Sequence, residues 1–191
     1  TKLDADIHSP AVHLAWNTVW KMLNQRQIDQ ESQLVISDLF GDDGSIISKK
    51  MRQPIQALLS ACNSLDVQRA TRSAEQIIGL GPGVTPSGDD LLIGLFAGLW
   101  TVARQDPQSQ NFIVRFGEAI NEIAFRTNDI SRTYLLHATQ GQFSSSLSYL
   151  AAAITNGITS NELTKITARA MQAGHSSGMD TITGLLFGFA S

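Results

Sequence analysis

Apolar residues follow a helical spacing along almost the whole chain. The first segment opens on Ser9-Pro10, a typical helix start, and its apolar residues recur every three or four positions as far as Leu23. The same spacing predicts further helices over approximately residues 54–63, 67–78, 87–104, 108–126, 129–139, 144–155, 160–173 and 177–190. Only residues 33–40 are compatible with a short strand, and they could equally form a short helix.

Capping residues mark where several of these helices should begin. Pro54 is predicted as the first residue of its helix, Asp66 as the cap of the next, and either Thr159 or Ser160 as a later cap. Short loops join the helices, without a long linker. We therefore expect a mainly all-α, single helical domain over residues 1–191, in which residues 1–50 are harder to assign than residues 51–191.

Composition narrows the classes of function. The net charge is -3 and there is no run of Lys or Arg, so no nucleic-acid partner is expected. The apolar runs are too short to span a bilayer, and no membrane association is expected. Cys62 is the only cysteine, which predicts a buried, inert thiol in a reducing, cytoplasmic compartment.

The chain contains an internal repeat. Residues 87–98 (SGDDLLIGLFAG) and residues 177–188 (SGMDTITGLLFG) share the pattern S-G-x-D-x-[LI]-x-G-L-x-x-G, and each follows a glycine-containing loop. Serine at the N-cap and aspartate three residues later would form a capping box in both copies. The repeat therefore predicts two matching loop–helix motifs.

Glycines at matching positions predict that the two repeated helices cross. Gly94 and Gly98 in the first copy correspond to Gly184 and Gly188 in the second. A glycine in a helix interior costs about 1 kcal/mol relative to alanine, and close approach of two backbones would offset that cost. A crossing at these glycines would bring the two helix starts together in one ligand pocket.

The expected ligand site combines these starts with the rigid loop 79–86 (GLGPGVTP), whose backbone resembles an anion cradle, and with a polar cluster at a later helix junction. The catalytic candidates are His175, Asp89 and Asp180. The substrate-binding candidates are Gly81, Gly83, Thr85, Ser87, Gly88, Asp90, Ser131, Arg132, Ser176, Ser177 and Gly178.

The charge balance of this site leaves its ligand open. Two helix N-termini supply about one positive charge, against three carboxylates from Asp89, Asp90 and Asp180. The aspartates could only cap their helices, could hold Mg²⁺, or could accept hydrogen bonds from amide groups of a substrate. Arg132 would supply a positive charge if it reached the site, and His175 could act as a general acid.

Three separated motifs resemble the AllH-like family. They are residues 79–90 (GLGPGVTPSGDD), residues 131–143 (SRTYLLHATQGQF) and residues 174–181 (GHSSGMDT), and they occur in the family's order. The resemblance extends over roughly residues 50–190. Members of the family usually carry more chain before this region, which is expected to be β-rich.

The resemblance implies a subunit of oxamate carbamoyltransferase, acting in anaerobic allantoin breakdown with two partner subunits. That enzyme converts oxalurate and phosphate into oxamate and carbamoyl phosphate. Two other functions stay open: a Mg²⁺-dependent helical hydrolase that faintly resembles the ADP-ribosylglycohydrolases, and a non-catalytic scaffold subunit. The two enzymatic functions imply a small-molecule substrate bearing a phosphate, carboxylate or carbamoyl group. The carbamoyltransferase and scaffold functions also imply other protein subunits as partners.

Overall fold

The structure is a computed structural model, and it describes residues 9–103, 106–158 and 161–191. These residues form nine α-helices and no strand, which confirms the all-α prediction. The helices are α1 (Pro10–Asp29), α2 (Ile46–Asn63), α3 (Val67–Glu75), α4 (Ser87–Val102), α5 (Pro107–Ile123), α6 (Asp129–Thr139), α7 (Ser145–Thr155), α8 (Asn161–Met171) and α9 (Ser177–Phe189).

Helices α4 and α9 pack against each other along their length at the centre of the fold. Both are apolar on nearly every face, as expected for helices surrounded by others, and Leu92, Phe96, Leu185 and Leu186 are fully buried or nearly so. Helix α1 packs against α8 and α9, α2 against α3, and α6 against α4 and α5. The repeated helices therefore form a central pair that α1, α5, α6, α7 and α8 contact directly.

Residues 33–40 do not form the short strand considered from the sequence. Ile36–Leu39 is a 3-10 helix. Side chains of neighbouring helices form hydrogen bonds with its backbone. The Ile36 amide donates to Gln27 Oε1 at 2.9 Å, and the Leu39 carbonyl accepts from Gln56 Nε2 at 3.0 Å. Because these helical side chains provide the partners, the segment needs no neighbouring strand.

The prediction that Pro54 starts a helix is wrong. Helix α2 begins eight residues earlier, where Ser45 Oγ accepts from the Ser48 amide, and Pro54 lies inside it. Proline removes one helical hydrogen bond, but Pro54, Met51 and Ile55 are all buried against the core, which offsets that loss. Asp66 caps α3 as predicted.

Two predicted helix boundaries lie outside the described residues: the end at Arg104, and the cap at Thr159 or Ser160. Among the residues that are described, no helix has the length and apolar content needed to cross a membrane.

Candidate functional site at the paired helix starts

Helices α4 and α9 cross at their glycines, as the sequence predicted. A Cβ added to Gly94 would lie 1.8 Å from the Thr181 carbonyl oxygen, and one added to Gly184 would lie 1.9 Å from the Leu91 carbonyl oxygen. The two contacts are equivalent, because each glycine meets the residue three positions before its counterpart in the other helix. The crossing therefore follows the internal repeat and has approximate two-fold symmetry.

This crossing places the two helix starts side by side. Thr85 Oγ1, at the end of the loop before α4, lies 2.5 Å from Ser177 Oγ, in the first turn of α9. Both residues are half-buried. The expected convergence of the two repeated motifs is thus confirmed.

The predicted capping boxes are not present. The N-cap residues are Pro86 and Ser176, one position earlier than predicted, and neither makes a side-chain capping bond. Ser87 and Ser177 are the first helical residues instead. Because their hydroxyls are not used as caps, they can interact with the opposite helix.

Asp90 and Asp180 form a buried carboxyl pair between the helix starts, with exposed fractions of 5% and 1%. Burial raises the pKa of Asp90 to about 7, against a smaller opposing effect of the Ser177 hydroxyl. Burial also raises the pKa of Asp180 to about 7, opposed by the Ser87 hydroxyl and reinforced by the charge of Asp90. Each carboxyl therefore faces a serine of the other helix, again following the repeat.

Several oxygens of this pair are unsatisfied. In the described part of the chain, Asp90 Oδ2 and both carboxylate oxygens of Asp180 are buried without a hydrogen-bond partner. The Ser177 and Ser87 hydroxyls lie near enough to lower the two pKa values, but they make no hydrogen bond to these three oxygens. Buried carboxylates normally have partners, so unpaired oxygens favour the protonated form and leave hydrogen-bonding capacity for a ligand or a moving proton.

Asp89 has a different environment from the pair. It is fully buried, its Oδ1 accepts from the Gly79 amide at 2.8 Å, and its Oδ2 accepts from Thr127 Oγ1 at 2.5 Å. Burial raises its pKa, and these hydrogen bonds lower it. Asp89 thus ties the start of the glycine–proline loop to the junction between α5 and α6.

The loop itself is exposed and has an unusual backbone. Gly81 and Gly83 have φ values of +115° and +96°, which side-chain-bearing residues rarely adopt. Within the described residues, the amides of Gly83, Val84 and Thr85 donate to no acceptor. Open space surrounds the position that a Cβ of Gly83 would occupy. The loop therefore offers unpaired amide donors beside Thr85.

Gly88 and Gly178 serve close packing. A Cβ on Gly88 would lie 2.0 Å from the Ile77 carbonyl oxygen, and one on Gly178 would lie 2.4 Å from the Ala170 carbonyl oxygen. In each copy the missing side chain allows the backbone of the preceding segment to pack directly against the first turn of the helix.

The remaining candidates lie around this centre. His175 is exposed on the turn before α9, and Ser176 beside it is half-buried. Arg132 is exposed in the first turn of α6, and Ser131 is fully buried beside Asp89, where its hydroxyl lowers the pKa of that carboxyl. The structure thus brings Asp90, Asp180 and the Thr85–Ser177 pair together. His175 and Arg132 are exposed, on the turn before α9 and on α6, and no hydrogen bond or ion pair joins either side chain to this centre within the described residues.

The described residues contain no group of three or more His, Cys, Asp or Glu side chains arranged to hold a metal ion. Both oxygens of Asp89 already accept hydrogen bonds, from the Gly79 amide and the Thr127 hydroxyl. Of the three candidate Mg²⁺ ligands, only Asp90 and Asp180 therefore remain. A site with two protein carboxyls can hold Mg²⁺ only when water or substrate supplies the other ligands.

Asn128 was missed in the sequence analysis. It is the N-cap of α6, and its Nδ2 donates to the Val84 carbonyl at 2.9 Å. An asparagine directly before a helical pattern is a capping signal that could have identified the first role. The contact with the loop depends on the tertiary fold.

These features define an all-α protein in which a duplicated helix start encloses a buried carboxyl pair. The chain belongs to the family described as oxamate carbamoyltransferase subunit AllH, whose family model matches residues 77–189. That range covers more than half of the chain and contains both helix starts. It begins at residue 77, whereas the sequence motifs suggested a resemblance from about residue 50. No solved structure matches the chain.

Proposed function

We propose that this chain is a subunit of an oxamate carbamoyltransferase and that its substrate site lies between the starts of α4 and α9. The observation that carries the proposal is the buried pair Asp90 and Asp180, whose pKa values of about 7 suit proton transfer at neutral pH. Family membership supplies the reaction class. The proposed reaction converts oxalurate and phosphate into oxamate and carbamoyl phosphate, in purine and allantoin catabolism.

The raised pKa values of Asp90 and Asp180 reduce the negative charge of this site. If Asp90 and Asp180 were both ionised, they would repel an anionic substrate. With pKa values of about 7, the pair holds about one proton at neutral pH. The positive ends of two helix dipoles then balance the remaining charge, so that phosphate or a substrate carboxylate is accepted.

The amides of the glycine–proline loop are the proposed phosphate contacts. Gly83, Val84 and Thr85 present N–H groups that no described residue accepts, directly beside the Thr85 hydroxyl. Arg132, exposed at the start of α6, is the proposed cationic contact for the second anionic group. Together these donors would hold phosphate against the carbamoyl carbon of oxalurate.

The reaction needs one proton removed and one delivered. An oxygen of hydrogen phosphate attacks the carbamoyl carbon, the new C–O bond forms, and the C–N bond to the oxamate nitrogen breaks. The ionised member of the Asp90–Asp180 pair takes the proton of the phosphate hydroxyl, and the protonated member supplies the proton that the leaving nitrogen gains. The pair thus ends with as many protons as it began with.

The protons would pass through hydroxyl groups. The unpaired oxygens of Asp90 and Asp180 are buried, whereas Thr85 and Ser177 are half-buried, and their hydroxyls adjoin Asp90. Each hydroxyl can accept one proton while donating another. His175, exposed on the turn before α9, is a second proposed donor to the substrate.

Reconstitution with the partner subunits tests this function. With oxalurate and phosphate as substrates, the wild-type complex should form carbamoyl phosphate, and Asp180→Asn should lower kcat by about 100-fold, the range for loss of an acid–base group. Asp43→Asn, in an exposed turn, is the matched control and should behave as wild type. No carbamoyl phosphate from the wild-type complex would refute the reaction. Full activity with alanine at Asp89, Asp180 and His175 would instead favour the scaffold function.

A further inference from the structure

The loop before α4 is held at both ends by the junction between α5 and α6. At its beginning, the Gly79 amide and the Thr127 hydroxyl bind the two oxygens of Asp89. Near its end, Asn128 Nδ2 donates to the Val84 carbonyl. A short segment of the chain that contributes no residue to the α4–α9 crossing therefore holds the loop at two points, in addition to the bond from the Gly88 amide to the Leu80 carbonyl at 2.8 Å.

Asn128 has two separable roles. Its Oδ1 accepts from the Ile130 and Ser131 amides at 3.1 Å each, which caps α6. Its Nδ2 reaches across to the Val84 carbonyl at 2.9 Å. Only the second contact involves the loop, so that a side chain with an acceptor but no donor would keep the cap and lose the contact.

The Val84 contact matters because little else holds this part of the loop. The Val84 side chain is 64% exposed, so packing does not fix it. No atom comes within 4 Å of a Cβ built on Gly83. The next tether along the chain is the hydroxyl contact from Thr85 to Ser177. Asn128 therefore orients the peptide groups directly before that contact.

We propose that Asn128 is a positioning residue for anion binding: it holds Val84 so that the Val84 and Thr85 amides point at the phosphate. This inference rests on the proposed function, because the phosphate contacts are part of it. In this proposal Asn128 acts through Val84: its Oδ1 accepts from the start of α6, and its Nδ2 donates to the Val84 carbonyl.

The test compares Asn128→Ser and Asn128→Asp with the wild-type chain in the reconstituted complex. Both variants keep a good N-cap acceptor, and both lose the amide donor to Val84. The aspartate carboxylate has no donor, and the serine hydroxyl ends one bond closer to the backbone than Asn128 Nδ2. The KM for phosphate should rise at least tenfold, kcat at saturating phosphate should change less than twofold, and the urea midpoint should be unchanged. Asp106→Asn, which alters the cap of α5 away from the loop, is the control and should leave KM unchanged.

A second readout needs no activity. Inorganic phosphate added to the ¹⁵N-labelled wild-type chain should shift the Val84 and Thr85 amide resonances saturably, and the two Asn128 variants should weaken this response at least tenfold. A normal phosphate response in both variants would overturn the role of Asn128 while leaving the proposed function intact. An absent response in the wild-type chain would overturn both. A phosphate response without carbamoyl transfer would retain the role of Asn128 and remove only the reaction.

Discussion

Thr85 Oγ1 and Ser177 Oγ are 2.5 Å apart, although the two residues are separated by 92 positions in the sequence. The repeat pairs Ser177 with Ser87, and it pairs Thr85 with His175. The symmetric contact would thus join His175 to Ser87, but His175 is exposed on its turn. The hydroxyl contact closes one side of the paired helix starts, and the departure from symmetry leaves the histidine available to a ligand.

The glycine crossing gives the first prediction. Gly94→Ala should lower the free energy of unfolding by about 3 kcal/mol or more, because its Cβ would lie 1.8 Å from the Thr181 carbonyl oxygen, a backbone atom that cannot rotate away. Urea denaturation measures this change. Gly41→Ala is the control, since the nearest atom to its Cβ is 3.9 Å away, and it should stay close to wild type. Equal stability of the two variants would show that α4 and α9 do not cross here.

The carboxyl pair gives a pH-dependent prediction. The pKa of Asp180 is about 7 in the folded chain against an ordinary value of 3.8. Between these values the folded chain keeps a proton that the unfolded chain releases, so stability should fall as the pH rises from about 4 to about 7 and then level off.

Asp180→Asn removes this titration, because the amide cannot ionise. The variant should lose less stability than wild type between pH 5 and pH 8, and urea midpoints at the two pH values measure the difference. Asp43→Asn serves as the exposed control. A variant whose pH dependence matches that of wild type would contradict the raised pKa of Asp180.

Asp89 should act structurally. In Asp89→Asn, one of the two oxygens that accept from Gly79 and Thr127 becomes an NH₂ group, so one donor is left buried without an acceptor. The expected cost is about 1–3 kcal/mol in the free energy of unfolding. Thr127→Val should cost less alone, and a double-mutant cycle should show coupling between the two positions. Purely additive effects would argue against the observed hydrogen bond.

His175 should affect activity without affecting stability. It is exposed, and within the described residues it makes no hydrogen bond, so His175→Ala should leave the urea midpoint unchanged. In the reconstituted complex, kcat should fall at least about tenfold if the imidazole donates to the substrate. His13→Ala, also exposed but on α1, is the matched control. Unchanged kcat in the His175 variant would remove the residue from the proposed mechanism.

Sequence patterns predicted the helices and the crossing because both depend on local periodicity and on glycine spacing. They did not predict that Pro54 lies inside α2, since burial of its neighbours outweighs its local preference. The predicted capping boxes do not form, because Pro86 and Ser176 take the cap positions and neither side chain caps its helix. The pairing of Ser87 with Asp180 and of Ser177 with Asp90 depends on the packing of two distant helices, and no local signal contains it.

The central claim is that Asp90 and Asp180 share a proton near neutral pH at an anion-binding site. The most direct test is a ¹³C NMR titration of the aspartate carboxyl carbons, assigned with Asp90→Asn and Asp180→Asn, with and without inorganic phosphate. Two carboxyls should titrate near pH 7, and phosphate should raise their apparent pKa values, because a nearby anion favours the protonated form. Titration of both groups near their ordinary value of 3.8, unchanged by phosphate, would contradict the account.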